Sequence, residues 1–356
     1  MGTTFFHPVS GESVLPILRQ NLPHSLPLYR RLQFNHRSTS SHVLATFPPS
    51  NNASPRSNGE SPDRGTCFAI AFVDRSRRPE TECWIFLSSE VPGKCPYTGP
   101  PTTSPDEPPA KPCPACRTAL LSVLTHIGTL PTPPIVEELF NQKDNPFMSH
   151  LANPRVMLVG ALNTVAGTML KDAIPPGLPD YMHIWYLKFL FKTSNLPANV
   201  DAPDGFRWGK VRHGDFALVR SRTSIPRQDR TLALLPSLAL FPVTREEEKE
   251  EDVSPVAWSF LGPDASLTSL HCEPEYRGKG FAKVLARKLF REGGYGDEAK
   301  DTHEEIDDEK WAHADVALDN VSSQGVCRGL GGEGAWNVVW IRVDLDRIAG
   351  MGLCDT

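Results

Sequence analysis

Two apolar runs, Phe68-Ala69-Ile70-Ala71-Phe72-Val73 and Cys83-Trp84-Ile85-Phe86-Leu87, flank the polar stretch 74–82. Short runs of this kind, bounded by polar residues, predict a β-hairpin. Before them, 14–22 and 27–32 read as short helical pieces. After them, Leu120, Leu121, Val123, Leu124 and Ile127 recur at helical spacing across 115–130. Residues 156–161 predict a buried strand, Asn163 the N-cap of a helix reaching Leu170, and 184–191 another strand. The Ser/Asn/Pro-rich stretch 48–65 and the Pro/Thr/Gly-rich stretch 91–114 predict loops.

Around 195–204 the composition turns to Asn, Pro and Asp, which sets a domain boundary between residues 1–200 and 205–356. The second half opens with Phe216-Ala217-Leu218-Val219. An apolar helix or pair of turns is expected over 231–241. Strands are expected at 255–261 and 266–272, joined by the turn Gly262-Pro263-Asp264. A helix follows with Phe281, Val284, Leu285 and Leu289 on one face. Then come a strand at 313–318, a helix from Asn320 and a closing strand at 336–345. The acidic runs 245–252 and 295–310 read as solvated insertions. The fold class is α/β, a mixed and mostly antiparallel sheet with flanking helices.

Bulk properties narrow the function. A chain of 356 residues suits two domains. Apolar content of 39%, with 34 prolines and 26 glycines, predicts packed domains broken by long loops. A net charge of −5 gives no electrostatic case for nucleic-acid binding. No run approaches the roughly 18 apolar residues a spanning helix requires, and the first sixteen residues do not form a secretory signal. Eight cysteines without such a signal read as free thiols of a cytoplasmic protein.

The chemistry concentrates between Leu270 and Lys283. A strand stops at Glu273-Pro274, the basic loop Arg277-Gly278-Lys279-Gly280 follows, and a helix begins at once. Such a junction aims backbone N–H groups and a helix N-terminus at one point, a site for phosphates. Arg277 and Lys279 add positive charge, and Ala282 lets the helix backbone approach closely. The bland alternative is a basic turn joining strand to helix. A dinucleotide site fits worse, because the G-x-G-x-x-G spacing is absent.

The arrangement Arg277-x-x-Gly280-x-Ala282 resembles the acyl-CoA diphosphate loop of the GNAT acyltransferase superfamily. Asp319-Asn320-Val321-Ser322-Ser323 resembles the family's later helix start, and Leu330-Gly331-Gly332 its ending, with Gly332 in place of an aromatic. The resemblance covers about 205–345. Residues 1–200 resemble, without a sharp motif, the degenerate N-terminal half of the glycine N-acyltransferase-like branch.

The resemblance implies transfer of an acetyl group from acetyl-CoA to a primary amine of a small molecule or amino acid. The family alternatives are protein N-terminal or lysine acetylation, and a CoA-binding protein without catalysis. It implies that backbone groups at Leu270 and Cys272 meet the pantetheine. Arg277, Gly278, Lys279, Gly280, Phe281, Ala282 and Lys283 would form the diphosphate site, and Asn320 would hold the pantetheine from the other side. Family members often protonate the departing thiolate with a Tyr seven residues after the Asn, and here that position is Cys327. Cys327 is therefore either the acid or a small buried helix residue. His271 is either the base that takes the amine proton or a pocket residue; Glu273 is a weaker base candidate.

Cys113-Pro114-Ala115-Cys116, taken with Cys83 and Cys95, offers four thiols for zinc, but a second C-x-x-C is missing. A redox pair and plain thiols are the alternatives, and plain thiols with no metal are expected.

Overall fold

In the computed structural model, alternate residues of the run 68–74 leave opposite faces of one sheet, and each face carries its own core. The structure describes residues 2–49, 66–95, 113–135, 148–176, 184–197, 200–223, 225, 227–243, 253–292 and 311–351. The chain divides into two units, one of Met1–Leu187 with Trp336–Thr356 and one of Lys188–Ala335. The boundary expected at 200–205 thus lies earlier, at Leu187. The closing strand expected in the second half belongs to the first unit, because its apolar positions complete that unit's core.

The first unit holds β1 (Phe5–His7), α1 (Leu15–Arg19), α2 (Leu26–Gln33), β2 (Ser41–Ala45), β3 (Ala69–Asp74), β4 (Cys83–Leu87), α3 (Pro114–Ile127), α4 (Met148–Ala152), β5 (Val156–Asn163) and α5 (Thr164–Met169). β6 (Tyr186–Lys192) runs into the second unit. The second unit continues with β7 (Phe206–Gly209), α6 (Phe216–Ser221), α7 (Asp229–Leu232), β8 (Ser237–Pro242), β9 (Ala257–Leu261), β10 (Ser266–Cys272), α8 (Phe281–Glu292), β11 (Trp311–Ala317) and α9 (Val321–Gly329). β12 (Glu333–Asp344) and α10 (Leu345–Met351) return to the first unit.

Within the first unit the strand order is β1-β2-β3-β4-β5-β12. β2, β3 and β4 are antiparallel, β5 lies parallel to β4, and β12 pairs antiparallel with β5. Ala69, Ala71 and Val73 pack with Leu120, Leu124 and Ile127 of α3. Ile70 and Phe72 pack with Leu18 and Leu28 from α1 and α2 on the opposite face. With both faces covered, the strands read as unbroken apolar runs.

In the second unit the order is β6-β11-β10-β9-β8-β7. β7 to β10 are antiparallel, and β11 lies parallel to β10 across the α8 connection. The two units therefore repeat one plan: four antiparallel strands, a helix, a parallel strand and a second helix. The strand that follows each repeat in sequence pairs with the parallel strand of the other repeat. The expected helix or turns over 231–241 divide at Pro236. Proline cannot continue a helix, so α7 stops at Leu232 and β8 forms between β7 and β9. Residues 216–219, left without an assigned element, form α6, while β1, β2 and β7 were not foreseen. The acidic runs 245–252 and 295–310 lie outside the described residues.

Candidate acyl-CoA site

The site is a fork between β10 and β11, and its closed end is fixed by a buried polar network. Lys188 donates to Asp315 Oδ1 at 2.6 Å and lies 3.2 Å from His313 Nδ1, all three side chains being buried. His313 Nε2 donates to the Asp264 carbonyl at 2.7 Å, in the turn before β10. Burial, reinforced by the Lys188 charge, pushes the His313 pKa down. A neutral imidazole accepting at Nδ1 and donating at Nε2 fits both contacts. These bonds tie β6, β11 and the β9–β10 turn together.

From there the strands part. Their pairing covers Ser266↔His313 and Leu267↔Ala314, although β10 runs on to Cys272 and β11 to Ala317. The cause lies in β10. Thr268 faces Phe260 and His271 faces Trp258, so β10 carries one more residue than β9 over that span. Ser269 absorbs the excess with φ at 51°, a β-bulge. A bulge turns the strand and re-aims its peptide groups. Thr268, Ser269, Leu270, His271 and Cys272 are all only half-buried, though their strand is flanked on both sides. Peptide groups of that kind can pair with the amides of a bound chain.

At the fork's mouth, Pro274–Tyr276 form one 3-10 turn, and Arg277 donates its backbone N–H to the Pro274 carbonyl. The expected donor run therefore begins one residue later. Among the described residues, the backbone N–H groups of Gly278, Lys279, Gly280, Phe281 and Ala282 donate to no protein acceptor. Gly278 and Gly280 hold φ of +76° and +84°, a region that side chains rarely adopt. Those two residues fold the loop back over the start of α8. Arg277, Lys279 and Lys283 are exposed around it. The Arg277 guanidinium also donates to the Cys272 carbonyl at 3.0 Å, closing the loop onto the end of β10.

The other predicted site residues are placed as follows. His271 stacks on the buried Trp258 ring at 4.7 Å, with Nε2 3.5 Å from Glu273 Oε2. Glu273 is itself held by Arg222 at 3.0 Å. Burial pushes the His271 pKa down, against the carboxylate of Glu273 and with the help of Arg277 and Arg222. The imidazole is therefore neutral near pH 7. Asn320 caps α9, its side-chain oxygen accepting from the Ser323 N–H at 3.0 Å, which leaves its amide NH2 for a ligand. Cys327 is 2% exposed in α9, and burial pushes its thiol up to about 12. A donor that weak is poorly matched to a CoA thiolate, so burial supports the reading of Cys327 as a packed side chain. The bulge at Ser269 and the Arg222–Glu273 pair were missed. Neither leaves a signal in sequence, because serine is ordinary in strands and the pair joins distant segments.

The model of the family described as acyl-CoA N-acyltransferase verG, N-terminal domain, matches residues 3–211, more than half the chain. That match falls where the sequence offered no sharp motif. Among solved structures, a Drosophila protein from a structural genomics programme aligns over 96% of this chain and 99% of its own, with 13% identity and a TM-score of 0.53. That likeness shows the fold. A GCN5-related N-acetyltransferase from Sphaerobacter thermophilus aligns over 96% and 95%, with 11% identity and a TM-score of 0.44. A tandem GNAT protein from the clavulanic acid biosynthesis pathway aligns over 97% and 99%, with 11% identity and a TM-score of 0.41. No curated protein sequence matches the chain. No helix among the described residues is long and apolar enough to cross a membrane. With the family model spanning more than half its length, the chain belongs to the verG acyl-CoA N-acyltransferase family.

Proposed function

We propose that this acyl-CoA N-acyltransferase moves an acetyl group from acetyl-CoA to a primary amine of a small molecule or amino acid. The observation that carries the reading is the run of five unpaired N–H groups at 278–282, at the N-terminus of α8 and the mouth of the fork. An anion there meets aligned donors, a helix dipole and three exposed cations. The pantetheine arm would lie between β10 and β11, paired with the peptide groups of Leu270 and Cys272 and bounded by Asn320.

The neutral amine attacks the thioester carbonyl, and a β10 N–H such as that of Cys272 stabilises the oxyanion. His271 supplies the base. Glu273 beside Nε2 favours the tautomer protonated there, leaving the Nδ1 lone pair for the ammonium proton. Water protonates the departing thiolate, since Cys327 is too weak an acid.

The test is calorimetry of acetyl-CoA on wild type and on Arg277→Glu/Gly280→Asp, with thiol release followed over a panel of amines. The double variant is expected to lose at least about a hundredfold in affinity, as several charge-assisted contacts vanish together, with an unchanged circular dichroism spectrum. Unchanged affinity would sink the loop assignment. Tight binding with no thiol release over any amine would identify a CoA-binding protein without catalysis.

A further inference from the structure

The first unit repeats the plan of the second, yet at the position of the anion loop it carries something else. Where β10 leads through Gly278 and Gly280 into α8, β4 leads into α3 through Cys95 and Cys113-Pro114-Ala115-Cys116. Pro114 removes a donor from the helix N-terminus. A diphosphate cradle is therefore lost there.

What replaces it is a knot of four thiols. The sulfurs of Cys67, Cys95, Cys113 and Cys116 all lie within 4.8 Å of one another. Cys67 Sγ is 3.6 Å from Cys113 Sγ and 4.0 Å from Cys95 Sγ. Four thiolates at about 2.3 Å from one tetrahedral zinc lie about 3.8 Å apart. The observed separations bracket that value. An iron–sulfur cluster would spread its thiolates wider, around an inorganic core. Disulfide sulfurs would be near 2.05 Å. Cys95, Cys113 and Cys116 are buried and Cys67 is half-buried, which suits a closed structural site.

We propose that Cys67, Cys95, Cys113 and Cys116 bind one Zn2+ as a tetrathiolate site. The ion clamps the start of α3 to both strands at the open end of the β3–β4 hairpin, where Ala69 faces Leu87. The expectation of plain thiols is revised. The sequence reading paired the C-x-x-C with Cys83 and Cys95. Cys83 instead begins β4, at the other end of the hairpin, and Cys67, just before β3, takes its place.

The test uses the full chain expressed with zinc in the medium. Elemental analysis is expected to find one zinc per chain. Stripping with a chelator under reducing conditions and refilling with Co2+ should give the intense visible absorption of a tetrahedral tetrathiolate. Cys113→Ser/Cys116→Ser should lose the zinc and melt at lower temperature. If that variant does not fold, the zinc count and cobalt spectrum of the wild type still decide. Zinc well below one per chain with no cobalt band would overturn the proposal. So would iron in place of zinc, or disulfides among these four cysteines in a peptide map.

Discussion

The resemblance of 319–332 to GNAT enzymes would place a tyrosine acid at Cys327, yet the environment of that side chain opposes the role. A thiol at 2% exposure, pushed by burial up to about 12, gives up its proton less readily than an ordinary thiol such as the one the leaving group becomes. Cys327→Ser is therefore expected to keep turnover within about twofold, while burying a hydroxyl costs about 1 kcal/mol of stability. Steady-state rates with acetyl-CoA and a urea melt check both halves; a turnover loss of tenfold or more would restore Cys327 as the acid. Gly280 makes the converse point. A side chain there would meet nothing within 4 Å, so its requirement for glycine comes from the φ of +84° alone. Residues 278 and 280 shape the loop by conformation, and the peptide N–H groups of 278–282 are left free of protein acceptors.

β10 shows how an element makes a site. Its first two residues pair with β11, its bulge turns it away, and its last residues are left open. Ser269 at φ 51° is mildly strained, so Ser269→Gly should relieve the strain and raise stability by about 0.5–1 kcal/mol, with the fork retained. Ser269→Val should lower it by more, because a β-branched residue fits that region worst; equal urea midpoints for the two would argue against the bulge. Much of this was legible. The hairpin 68–87, α3, the Asn163 cap, the strand β10, the glycine loop and α8 all follow from apolar periodicity and punctuation. β1, β2 and β7 are short and carry little pattern, and β8 was obscured by apolar residues that suit helix and strand alike. The bulge and the four-cysteine knot depend on contacts between distant segments, which no local pattern records.

At the scale of the molecule, acid should weaken the fold in two stages. Burial holds His7, His24, His150 and His313 below 6.5 in the folded state. Below that value the unfolded chain takes up protons that the folded chain refuses, so stability falls as pH drops. Asp74, despite its burial, is held below 3.8 by Ser76, Ser38 and Ser41, and its contribution fades as pH falls below that value. Urea midpoints should therefore decline steadily between about pH 7 and pH 5; a flat profile would mean these histidines are not buried as neutral rings.

The exchange of strands sets a second expectation. Val339, Ile341 and Val343 of β12 and Leu345 and Ile348 of α10 sit in the core of the first unit. Phe189 and Phe191 of β6 are buried in the second. A fragment of residues 1–200 and one of 205–356 should each lack fixed packing, seen as lost near-ultraviolet circular dichroism and bound ANS. A well-packed 1–200 fragment would refute the exchange. The same topology bears on biosynthesis. As the chain emerges, β5 has no β12 to pair with until the entire second repeat has been translated. The first half must wait at the ribosome with an open apolar edge, and the nascent chain is a natural client for chaperones that shield such edges.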